Sequence, residues 1–99
     1  MTHEFLEEAR NEFRHAALYY ESCEPGLGSR FKAEIAGVIE RILLNPYRCA
    51  ERTGGFRRVN CPVFTYYIAY FIRSEKVIIV AVAHGRRKPG YWMDRMKKT

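Results

Sequence analysis

The chain has 99 residues, 47% hydrophobic, 14% aromatic and 28% charged, which excludes compositional disorder and leaves room for one domain, residues 1–99. Its net charge of +6 is unevenly placed: residues 1–40 carry four Lys/Arg and eight glutamates, net −4, whereas residues 41–99 carry thirteen basic and three acidic residues, net +10. A uniformly basic surface is thereby excluded, and the positive half predicts a polyanionic or acidic partner.

In chain order, Thr2–Phe5 is long enough only for a brief edge strand. From Leu6 to Ser22 the pattern is helical, with Ala9, Phe13, Ala16, Ala17 and Tyr20 on one stripe and Glu7, Glu8, Arg10, Asn11 and Arg14 left for solvent. Pro25-Gly26 stops it. A second helix is predicted from Gly28 or Ser29 to Leu44, with Ser29 as N-cap, a stripe of Leu27, Phe31, Ile35, Val38, Ile39, Ile42 and Leu43, and a stop at Asn45-Pro46. From Phe56 the period falls to two. Phe56–Val59, Val63–Ile72 and Val77–Ala83 read as strands, and their short connections imply an antiparallel meander. Val77–Ala83 is apolar on both faces, as suits a central strand covered on both sides. The expected fold is α+β: an N-terminal antiparallel helical hairpin packed on a small curved antiparallel β-sheet, with a short basic C-terminal segment.

Cys23, Cys49 and Cys61 are odd in number and lack CxxC spacing, so they read as reduced thiols and not as a disulfide frame or zinc site. The longest charge-free stretch, residues 59–72, is too short to span a bilayer, and Met-Thr-His-Glu is no signal-peptide start. We therefore expect a cytoplasmic protein with no membrane contact. No metal or cofactor motif is present, and none is expected to be needed.

The tail, His84–Thr99, sets six basic residues against one acid. Arg86, Arg87 and Lys88 suit phosphate or carboxylate, and Tyr91 and Trp92 beside them suit stacking or a protein pocket. The plainer alternative is a solvated basic tail with Trp92 folded back on the core. His84, at a strand end, either acts as acid or base or simply orders the next loop. Arg57 and Arg58 alternate to opposite faces, so one meets solvent or a partner while the other pairs or snorkels. Tyr66 and Tyr70 share one face, Tyr67 and Phe71 the other, as core and cross-strand packing.

Several segments together resemble a known family. They are EFLEEA (4–9), YYE then PGLGSRF (19–31), the NP after the second helix, FRR (56–58), YYIAYFI (66–72), VIIVAVAHGRR (77–87) and PGYW (89–92). In this order they resemble the RelE/ParE toxins, the toxic halves of type II toxin–antitoxin pairs, over nearly the whole chain. The resemblance implies a small toxin held by an acidic antitoxin in a hetero-oligomer. One branch of the superfamily cleaves messenger RNA in the ribosomal A site; the other poisons DNA gyrase. The ribonuclease pattern needs strand lysines, arginines and a late tyrosine. Here no lysine lies between Lys32 and Lys76, and Thr65 or Tyr66 stands where an arginine is expected. For a ribonuclease the resemblance leaves His84, Arg87 and Tyr91 as catalytic residues. Arginine cannot replace lysine as a base. The ending HGRRKPGYW looks more like the ParE side, for which Arg57, Arg58, Arg86, Arg87 and Trp92 become target-binding residues and gyrase the target. A degenerate toxin that keeps only antitoxin binding, or a basic nucleic-acid-binding module, are the remaining alternatives.

Overall fold

The computed structural model describes residues 1–98. In chain order it contains β1 (Thr2–Phe5), α1 (Glu7–Cys23), α2 (Leu27–Leu44), β2 (Arg57–Asn60), β3 (Tyr66–Arg73) and β4 (Lys76–His84), with short 3-10 turns at Thr53–Gly55 and Met93–Lys98. Glu7 and Glu8 occupy the first turn of α1, where the helix dipole favours acids. The helix ends before Pro25 because Glu24, its neighbour, is driven into extended backbone.

The start of α2 differs from the sequence expectation. Its N-cap is Gly26, in the left-handed region at φ 88°, and Ser29 sits inside the first turn without capping it. The free amides are met from the other helix: the Glu21 carboxylate accepts from Gly26 N at 2.9 Å and from Gly28 N at 3.0 Å. Gly28 is required by closeness, since a Cβ there would stand 2.6 Å from the Ala17 carbonyl oxygen. One carboxylate and one glycine thus fix the helical hairpin.

The four strands lie in the order β1-β4-β3-β2. β2, β3 and β4 form the expected antiparallel meander. β1 corrects the all-antiparallel expectation: it runs parallel to β4, with Thr2 opposite Lys76 and Phe5 opposite Ile79, so the sheet is mixed. Parallel neighbours need a long crossover, and the hairpin with the meander supplies it.

The central strands β3 and β4 are covered on both faces. On one face Ile68, Tyr70, Val77, Ile79 and Val82 meet Phe31, Ile35, Val38 and Ile42 of α2 and the alanines of α1. On the other, Tyr67, Ala69, Ile78, Ala81 and Ala83 meet Phe56 and Trp92. Tyr66 and Tyr70 therefore do share one face, and Tyr67 and Phe71 the other. A bulge interrupts the alternation of β4: Ala69 pairs with Ala81 and Tyr70 with Ile79, leaving Val80 unpaired with β3. None of the three cysteines forms a disulfide. Among the described residues no helix is long and apolar enough to cross a membrane, and no group of three His, Cys, Asp or Glu side chains is placed to hold a metal.

Candidate functional site

The site forms where β1 is too short for its neighbour. The last bond between them is from Leu6 N to the Ile79 oxygen, 3.0 Å. Beyond it the edge of β4 has no strand partner, and two side chains take that place. Glu12 of α1 accepts from Val82 N at 3.1 Å, and Arg95 of the C-terminal turn donates to the Val80 oxygen at 3.0 Å. The two are joined by a bidentate pair, 2.8 and 2.9 Å, the strongest geometry for guanidinium and carboxylate. Both are largely covered, at 17% and 14% side-chain exposure, so this pair is screened far less than a surface ion pair.

Tyr91 and Arg87 complete the cluster. The Tyr91 hydroxyl donates to Glu12 Oε2. Burial and that bond to the carboxylate hold its phenol far above the usual tyrosine range. The bond to Glu12 likewise raises Arg95. The Arg87 guanidinium lies 3.8 Å from the centre of the Tyr91 ring and 3.8 Å from Glu12 Oε2, yet 57% of its side chain remains exposed. Stacked on one group and drawn by another, Arg87 is presented to solvent in a restrained pose.

An open cleft of about 260 Å³ lies over this cluster, between α1 and the ends of β3 and β4; Glu12, His15, Tyr66, His84, Arg87 and Tyr91 line it. His84 sits edge-on to Tyr66 at 5.1 Å, and its Nδ1 accepts from Arg86 N at 3.1 Å, which leaves Nε2 as the protonated nitrogen of the neutral ring. This bond ties the first residues of the following loop to the imidazole. Of the sequence candidates, His84, Arg87 and Tyr91 converge here, and Arg86 stands exposed beside them.

The other three part company. Arg58 stacks over the Tyr67 ring at 3.7 Å, bonds Asn60, and borders a separate groove that reaches Gly85. Arg57 is turned inward: its side chain is 12% exposed and donates to the Cys49 and Tyr47 carbonyl oxygens and to Glu51, clamping the loop after α2. Trp92 is likewise interior, 7% exposed, packed on Phe56 with Nε1 donating to the Tyr67 hydroxyl at 2.9 Å. Both placements, the plainer alternative for Trp92 and the paired one for an arginine of this strand, follow from desolvation. A guanidinium with several carbonyls in reach, and an indole with an apolar wall and one acceptor, are better satisfied inside than out.

Sequence reasoning missed Glu12 and Arg95. A signal for the first existed: Glu12 falls three residues after Ala9 and four before Ala16, within the buried line of α1, where an acid needs a partner. Arg95 carried none, being one base among six in the tail.

The family model described as ParE toxin of type II toxin–antitoxin system, parDE, matches residues 4–89. The chain belongs to the ParE toxin family. The match takes in Glu12, His84, Arg86 and Arg87 and ends before Tyr91 and Arg95. Among solved structures, the chromosomal ParDE TA system from P. aeruginosa is similar at TM-score 0.75 and 11% identity, covering 85% of this chain and 95% of that one. The isolated E. coli RelE toxin is similar at TM-score 0.64 and 16% identity, covering 99% and 98%. At such identities these likenesses speak for the fold. No curated protein matches the chain in sequence.

Proposed function

We propose that this ParE-family chain arrests growth by inhibiting DNA gyrase, using the basic surface at the end of β4 formed by His84, Arg86 and Arg87, with Arg58 on the separate groove that reaches Gly85. A cognate acidic antitoxin neutralises it in a hetero-oligomer, as a partly disordered segment that folds on binding. The carrying observation is Glu12. It places a carboxylate in the lining of the cleft that His84, Arg87 and Tyr91 share, where a phosphate would meet like charge, and it takes up the Tyr91 hydroxyl as a hydrogen-bond donor. The Tyr91 hydroxyl is committed to that carboxylate and arginine offers no base, which leaves His84 as the one sequence candidate in the cleft able to move a proton. What the surface does offer is exposed, oriented cation, which suits capture of acidic protein surface.

A second reading, ribosome-dependent cleavage of messenger RNA, is favoured by one fact: His84, Arg87 and Tyr91 do line a single cleft. Induced expression without antitoxin, followed by supercoiling assays and by mapping of transcripts, separates the two. The gyrase reading expects growth arrest, inhibited supercoiling and intact messages. Cleaved messages on translating ribosomes, abolished in His84→Ala, overturn it; harmless overexpression of folded protein overturns both.

A further inference from the structure

We propose that Glu12 is a positioning residue for target binding: it holds the basic loop between His84 and Tyr91 in its working pose without touching the target itself. The proposal rests on the reading that this loop is the target-binding surface. The loop's near end is set by β4. Its far end is set on two sides of the sheet edge. Trp92 anchors it on one side, through Tyr67 and Phe56. Glu12 anchors it on the other, receiving Tyr91 and Arg95 while Arg87 rests 3.8 Å away.

The indole, bonded to Tyr67 and packed on Phe56, fixes the depth of the tail. Among the described residues, the ion-pair and stacking partners of the Arg87 guanidinium lie on the Glu12 side: the carboxylate itself and the Tyr91 ring. Glu12 is itself fixed by the Val82 amide at the open edge of β4, so the loop's pose is referred to the centre of the sheet. An exposed loop closed at both ends loses less freedom on binding than one closed at a single end, and that saving appears as affinity.

The test is Glu12→Gln, which keeps the shape and an acceptor for Val82 but gives up the charge. Amide hydrogen exchange and inhibition of gyrase supercoiling are measured on the full chain. We expect the amides of Arg87, Tyr91 and Arg95 to exchange about tenfold faster or more, while those of β3 stay at wild-type rates. Trp92 emission stays unchanged, and the toxin concentration for half inhibition rises about tenfold. A merely structural glutamate would speed core and tail amides together.

Arg95→Gln, which spares the Glu12–Val82 bond, is expected to act in the same direction, and Arg95→Lys to fall between it and wild type, because an ammonium does not match the two-pronged geometry. Tail exchange at the wild-type rate in both glutamine variants overturns the proposal. So does faster tail exchange with unchanged inhibition. Wild-type protein that leaves supercoiling untouched refutes the gyrase reading alone; the exchange measurement then still decides whether Glu12 holds the loop.

Discussion

The two faces of the sheet are closed by different means. On one, two helices with their own backbone hydrogen bonds lay continuous apolar stripes across β3 and β4. On the other, an irregular segment with a single short 3-10 turn is held by one indole, one clasp of charges and a few ring contacts. The helical face is spread over many interchangeable contacts, and the tail face over a few that have no substitutes. The residues proposed to meet the target all belong to the second kind of structure or its margin. A region held at a few points can be presented at a surface and still be ordered, which a buried stripe cannot.

The largest expected effect tests the helical face. Phe31 is fully buried among the rings of Phe13, Tyr20, Phe64 and Tyr66, at centroid distances of 5.1 to 6.1 Å. Phe31→Ala is expected to cost about 3–5 kcal/mol in denaturant unfolding. A cost below about 1 kcal/mol would mean that the face collapses around the gap and is not tightly packed.

Trp92→Phe tests the tail face. It removes one hydrogen bond and leaves the Tyr67 hydroxyl without that partner, for an expected cost of about 1–3 kcal/mol. The accompanying increase in amide exchange should fall on residues 91–97 before it reaches α1 or α2. Uniform acceleration would erase the distinction between the faces.

Alkaline pH provides a smaller probe, directed at the helical face. Burial, helped by the charge of Glu34, pushes the Cys61 thiol from an ordinary value near 9 up to about 11. The unfolded chain therefore releases this proton first, and stability present below pH 9 is lost as pH rises toward 11. Cys61→Ala should flatten that decline in unfolding experiments across this window. Tyr70, held up to about 12 by burial first, and Tyr91, also raised by burial first, keep a slope from pH 10 upward in that variant.

The smallest expected effect is that of Arg87→Ala on stability, within about 0.5 kcal/mol, because the side chain is mostly exposed and its carboxylate partner keeps Arg95. A larger loss would make Arg87 a strut of the tail instead of a presented cation.

The same contrast explains what could be read in the sequence. Periodicity reports on the helical face, because a stripe on α2 and alternation on β3 are repeated many times over. Phe31 through Ile42, and the division of Tyr66 and Tyr70 from Tyr67 and Phe71, were legible for that reason. Events that happen once leave no period. The parallel pairing of β1 depends on which strand lies free at the far side of β4, and four residues do not announce it. The amides at the start of α2 are met from the other helix, by Glu21, which the local pattern around Ser29 does not reveal. Glu12 and Arg95 meet across 83 residues of chain. The family resemblance makes Arg57 and Trp92 target-binding residues, whereas carbonyl acceptors and an apolar wall that only the folded chain assembles draw them inside. The candidate site was legible as a segment, the tail, and illegible as a geometry.

The most direct test of the whole account is inhibition of DNA gyrase supercoiling by purified wild-type protein beside the Arg86→Ala/Arg87→Ala double variant, with circular dichroism showing both folded. The wild type is expected to inhibit, and the double variant to need at least about tenfold more protein, a loss of about 1.4 kcal/mol or more in binding. Equal inhibition by the two would contradict it, as would a wild type that leaves supercoiling untouched.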